Sequence, residues 1–144
     1  MIEVDVTSTI RSKVDRKLIE QAVKAALGRA NATVSVVVIG DQRMRSLNRD
    51  ALGHDYVTDV LSFDHGDSPE GQVFEVIVCA PHAKREARRY GVPAKQELAR
   101  YVIHGCLHCL GHDDHTDAQR IAMWKFQEAV MRKLFAKSYR DPGS

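Results

Sequence analysis

The chain reads as a single α+β domain, with one mixed sheet of about four strands packed with about five helices, and two features of the sequence predict this class. Stretches rich in β-branched residues, or alternating polar and apolar, interleave with stretches of 3.6-residue apolar periodicity up to residue 79, after which only helical periodicity remains. The length of 144 residues, 44% hydrophobic and 28% charged, suits one soluble domain that buries its own core.

The elements follow in order. Ile2–Val6 alternates as a strand does, and Asp15 can cap a helix whose apolar face is Ile19, Val23, Ala26 and Leu27, closed by Gly28. Thr33–Ile39 is a β-branched strand. Asp41 can cap a short helix through Leu47, with Asn48 at its end and a loop from Asn48 to Thr58. Asp59–Phe63 is a further strand, and Asp59 also suits a turn in which its carboxylate accepts from backbone N–H groups. Asp64–Gly71 reads as a polar turn before the strand Val73–Cys79. Three helices finish the chain: one from about His82 to Tyr90, stopped by Gly91-Val92-Pro93, one carrying two histidines, and one over roughly Asp117–Lys137. On the last, Met123, Phe126, Val130 and Leu134 form a stripe flanked by Trp124, Met131 and Phe135, which reads as a core face. Residues from about 138 to 144 read as a frayed end of this single domain, 1–144.

Composition excludes several classes. The N-terminal residues begin a strand rather than an export signal, and no apolar run approaches the roughly 20 residues of a membrane span. Cys79, Cys106 and Cys109 are odd in number and lack framework spacing, which agrees with a reducing compartment and a cytoplasmic location. Cys106-Leu-His-Cys109 has Cys-x2-Cys spacing, but no second such pair exists, and buried apolar thiols are the better reading.

Chemistry concentrates in His104-Gly-Cys-Leu-His108-Cys-Leu-Gly111-His112-Asp113-Asp114-His115. Residues four apart on a helix share a face, so His104 and His108 can bind one ion. The run from Tyr101 to Leu110 is otherwise apolar, and histidines buried in it require a partner or a metal. Gly111 ends the helix and turns the chain, bringing Asp114 or His115 back as a third ligand. Three protein ligands leave a fourth position for water, the pattern of a catalytic zinc, one ion per chain. Zinc lowers the pKa of its water to about 7, which suits attack on a phosphodiester. Gly105 stands where the metalloprotease motif His-Glu-x-x-His has its general base, so His112, Asp113, or whichever of Asp114 and His115 is not a ligand must take that role.

Net charge is only +2, too small to argue for nucleic acid by itself. Its distribution is more informative. Lys84, Arg85, Arg88, Arg89, Lys95 and Arg100 form one basic group, and Arg43, Arg45 and Arg49 another; if they flank the metal they would bind phosphates. Aromatic stacking platforms are not apparent, which argues against base recognition.

Two motifs carry a resemblance. Leu47-Asn48-Arg49-Asp50 followed by His54-Asp55-Tyr56-Val57-Thr58-Asp59-Val60-Leu61-Ser62-Phe63, and then His-Gly-x-Leu-His-x-x-Gly, resemble the YbeY family of bacterial endoribonucleases in order and spacing, over about a third of the chain. The resemblance implies a metal-dependent hydrolase of single-stranded RNA, with zinc on a metzincin-like metal helix. It implies roles in ribosomal RNA processing, notably at the 3′ end of the small-subunit RNA, and in ribosome quality control, with ribosomal RNA and the small subunit as partners. It implies that the histidines of the second motif hold the zinc; with the arguments from spacing and charge above, His104, His108, Asp114 and His112 are the expected catalytic set and Arg49, Arg85, Arg88 and Arg89 the expected RNA contacts. The family usually has His-x3-His-x5-His; counting without a gap from His108 lands on Asp114, which is favoured over His115 as third ligand. Leu52 stands where many members have an arginine thought to contact phosphate. A metzincin-like metalloprotease and a non-catalytic, zinc-stabilised ribosome-associated factor are the competing classes.

Overall fold

The computed structural model describes residues 1–142. The elements run β1 (Ile2–Ser8), α1 (Arg16–Leu27), β2 (Ala32–Ile39), α2 (Asp41–Leu52), β3 (Val60–Ser68), β4 (Gly71–Cys79), α3 (Ala80–Tyr90), α4 (Ala94–Cys109) and α5 (Asp117–Phe135), with a 3₁₀ turn at Ala136–Ser138. The four strands form one mixed sheet in the order β1-β2-β4-β3, the first two pairings parallel and the β3–β4 hairpin antiparallel.

Alternation along the central strands builds two cores. Val34, Val36 and Val38 of β2 and Phe74, Val76 and Val78 of β4 point to one face, where they meet α1, α4 and α5 in the larger core. Ile39, Ile77 and Cys79 point to the other, under Met44 of α2 and Leu61 of β3. Asp15 caps α1 as expected, accepting from the Leu18 N–H at 3.1 Å.

Helix α2 departs from its sequence reading at both ends. Gly40, not Asp41, is the capping residue, and the helix continues through Asn48 to Leu52, where Gly53 takes the left-handed conformation at φ 74°. Asn48, read as loop, is buried, and its amide donates to the Tyr56 carbonyl at 3.0 Å, tying the following loop to the helix. That long-range bond outweighs asparagine's poor helix propensity. The stretch read as a polar turn is mostly strand: β3 runs to Ser68 with a bulge between Asp64 and Asp67, and the hairpin turns after it.

On α5, Met123 and Met131 are buried, but Phe126 and Trp124 are about half exposed, and the buried positions between the methionines are Gln127 and Glu128. The core-facing stripe is therefore partly polar. Glu128 makes a two-pronged ion pair with Arg100 at 2.9 and 3.0 Å, and Arg100 also pairs with Glu97. Arg100, counted among the surface cations by sequence, is thus buried between two carboxylates. The C-terminal stretch is also held: the Gln96 amide donates to the Arg140 carbonyl at 2.6 Å and accepts from its N–H at 3.0 Å, and the Tyr139 hydroxyl donates to Glu128. Fraying before residue 141 is thereby corrected, because a buried glutamine offers that backbone both of its hydrogen bonds; residues 143 and 144 lie outside the described residues.

Candidate metal centre

His104 and His108 lie one turn apart near the C-terminal end of α4, and their Nε2 atoms are 3.0 Å apart. Helix α4 presses its other side onto the sheet at Gly105. A Cβ built there would lie 2.7 Å from Val76 Cγ1 and 3.1 Å from Val60 Cγ2. Gly105 is therefore required by packing, and a glutamate in the position used by metalloproteases has no room.

The chain leaves α4 through Leu110 and turns at Gly111, whose φ is 99°. This turn returns Asp114 to the histidines, with Oδ2 3.3 Å from His108 Nε2 and 3.9 Å from His104 Nε2. Among the described residues, the three offer ligand atoms all within 4.8 Å of one another. Two ligands on a tetrahedral zinc, each about 2.05 Å from the ion, are about 3.4 Å apart, so the observed separations fit one ion with little movement.

His104 is oriented from behind. Its Nδ1 is 2.7 Å from Gln127 Oε1, and the Gln127 amide donates in turn to Glu128 Oε2 at 2.9 Å. Glutamine's carbonyl accepts only, so Nδ1 carries the proton and Nε2 keeps its lone pair toward the site. Burial, with His104 adding to it, lowers the pKa of His108 against the opposing pull of Asp114. Its imidazole is therefore neutral, and able to ligate, to lower pH than usual.

The other sequence candidates separate. His115 is largely exposed, its Nε2 4.0 Å from Asp113 Oδ1, and stands outside the three-donor group. His112 donates its backbone N–H to the Leu107 carbonyl at 3.1 Å and rests its ring on Phe126, centroids 5.1 Å apart. Arg85 forms a two-pronged pair with Asp41 at 2.8 and 2.9 Å, which fastens α3 to α2 and holds the Asp41 carboxyl below its usual range. Its charge is already partnered, so the expected phosphate contact is not available without breaking that tie. Arg49 is exposed beside Asp50 at 3.5 Å, and Arg88 makes no ion pair among the described residues. Arg89 reaches a cleft of about 560 Å³ beside the histidines, which also contains Asp59, Trp124 and Gln127. Asp59 accepts from the Val60 N–H at 2.8 Å, the turn role read from sequence, while lining the same cleft. Sequence reasoning missed Gln127, which no local pattern singles out, and Trp124, which helical periodicity assigns to a packing face; only the fold brings both to the cleft beside His104. All three cysteines are buried and unpaired, and burial pushes the thiols of Cys79 and Cys109 up to about 11.

A small mixed-sheet domain gathers two imidazoles and a carboxylate at the end of one helix and its exit loop, an open, three-donor group that could hold a metal ion. Comparison with known proteins gives this domain its family. The family model described as Endoribonuclease YbeY matches residues 2–135, and the chain belongs to this family. Proteins named Endoribonuclease YbeY from Anaeromyxobacter sp., Methylibium petroleiphilum and Chlorobium luteolum are 40%, 36% and 31% identical to it. The matches cover 85%, 92% and 93% of this chain, and 66%, 85% and 99% of those proteins respectively. The solution structure of a Thermotoga maritima protein superposes with a TM-score of 0.61 at 26% identity, covering 100% of this chain and 99% of that one.

Proposed function

We propose that the protein is a zinc-dependent endoribonuclease cutting single-stranded RNA, with His104, His108 and Asp114 holding one zinc per chain. The convergence of these three donors within 4.8 Å carries the reading, in a chain whose relatives are named as endoribonucleases. Zinc in such a site supplies an ionised water near neutral pH and polarises a phosphoryl oxygen. The protein's own groups do the remaining work. Gln127 keeps His104 Nε2 aimed at the site, burial keeps His108 neutral, and Asp114 contributes the negative charge that offsets the cation. His112, held at the helix exit, is the proton acceptor. Arg49, Arg88 and Arg89 are the phosphate contacts. The family resemblance supports ribosomal RNA as substrate, in maturation of the small-subunit 3′ end and in ribosome quality control with the small subunit as partner. Three unpaired cysteines, and the finding that no helix among the described residues is long and apolar enough to cross a membrane, support action in the cytoplasm.

The test is digestion of end-labelled single-stranded RNA, duplex RNA and casein, with zinc or chelator, by the wild type and His108→Ala. Cleavage of single-stranded RNA alone, lost with chelator and in the variant, is expected. Intact RNA with the zinc-loaded wild type, or cleaved casein, overturns the proposal.

A further inference from the structure

Helix α4 packs against both α3 and α5, and residues of all three helices line the cleft beside His104. Two properties of this cleft argue against a phosphate as its occupant. Among the described residues both arginines that line it are partnered, Arg89 at 3.9 Å from Glu86 and the buried Arg100 by Glu97 and Glu128, and Asp59 adds a further carboxylate. Like charge would repel a phosphodiester, whereas carboxylate oxygens accept from the amino and imino groups of nucleobases. The second property is aromatic. Trp124, the chain's sole tryptophan, lines the cleft with half its surface exposed, although nothing in the core requires it there. The Arg100 guanidinium lies 5.8 Å from its ring centre and helps hold the ring in place.

We propose that this cleft is a nucleobase subsite, in which an unpaired base of the RNA stacks on Trp124 and hydrogen-bonds to Asp59 or Glu86 while its neighbouring phosphate reaches the metal-binding end of α4. The assignment rests on the endoribonuclease reading and adds to it how the strand is positioned. A base that must leave its stack to enter the cleft comes from single-stranded RNA and not from a duplex. The Arg89 guanidinium lies 5.5 Å from the Tyr90 ring at the same cleft and provides a cation for the strand where it leaves.

Having one tryptophan makes the test direct. The full chain is titrated with hexa-adenylate and with an abasic ribose-phosphate chain of equal length, while tryptophan fluorescence and the anisotropy of labelled strands are recorded and RNA integrity is checked afterwards. Hexa-adenylate should change Trp124 fluorescence saturably and the abasic chain should not. Trp124→Ala should weaken hexa-adenylate binding about 5- to 150-fold, the span of one base–aromatic stack, and Trp124→Phe should retain most of it. Abasic binding should be equal in all three proteins, which also shows that the variants are folded. Hexa-adenylate bound with unchanged fluorescence, or bound equally by Trp124→Ala, overturns the subsite while leaving the nuclease reading intact. Failure of the wild type to bind or cleave RNA at all overturns both.

Discussion

Asp114 lies where the gapless count from His108 lands, and its carboxylate is the donor that the exit loop returns to the two imidazoles. Replacing His104, His108 or Asp114 by alanine should each abolish stoichiometric zinc by elemental analysis, whereas His115→Ala should keep one equivalent; a His115→Ala protein that loses its metal would disprove this ligand set. Gln127 acts one bond further out. Gln127→Ala should lower zinc affinity about 10- to 100-fold in a competition titration, the usual loss when the partner that orients a ligating histidine is removed. The motif residues were legible in the sequence because their spacing is local to one helix turn and one loop. Gln127 was not, because it lies on a different helix, 23 positions on, and only the packing of α5 against α4 brings it to His104.

At the scale of elements, helices and strands were readable wherever a local pattern governed them, as in α1 with its Asp15 cap and the alternating valines of β2. Readings failed where a distant partner overrode the local one. Asn48 continues α2 because its amide is satisfied by Tyr56, and Arg100 is buried because Glu128 of α5 meets it. The same distinction sorts the basic residues of α3. Arg85 ties α3 to Asp41 at the start of α2, while Arg88 and Arg89 face outward. Replacing Arg88 and Arg89 with glutamine should weaken single-stranded RNA binding and reduce its salt slope by up to roughly one unit per lost phosphate contact, with metal content unchanged. An unaltered slope would make that face solvated surface only. Arg85→Gln, by contrast, should act mainly on the α2–α3 contact.

For the whole molecule, the buried ionic cluster sets the response to acid. Burial pushes the Glu128 carboxyl up, but hydrogen bonds from Arg100, Gln127 and Tyr139 outweigh it and leave the pKa below the ordinary value. That contribution to stability is present above pH about 4.5 and is lost as pH falls through the folded-state value. Glu97 has the opposite sign: burial raises its pKa despite Arg100, so its ionised form costs stability as pH rises. Arg100→Met leaves both carboxylates buried without their cation and should cost about 3–5 kcal/mol near neutral pH. Both would then protonate readily, so the variant should gain more stability than the wild type between pH 7 and pH 5; urea midpoints at the two values measure this. Chelation should behave differently. The proposed metal ligands lie outside both hydrophobic cores, so chelation of the metal-loaded protein should lower the melting temperature by a few degrees without unfolding the chain. Collapse on chelation would instead indicate a structural metal.

The bare position at Gly105 also limits how the centre can move. A helix sliding along a sheet shifts in steps of one turn, about 5.4 Å, and such a step in α4 would bring Tyr101 or Cys109 into the slot between Val60 and Val76. Neither side chain fits where a single methyl carbon already collides. The helix thus has one permitted seat, and the backbone that carries the two imidazoles is fixed relative to the sheet beneath it. Any opening or tuning of the centre falls to the segment between Gly111 and Thr116, which carries the third donor on a short tether that begins at a glycine and ends in the capping box of α5.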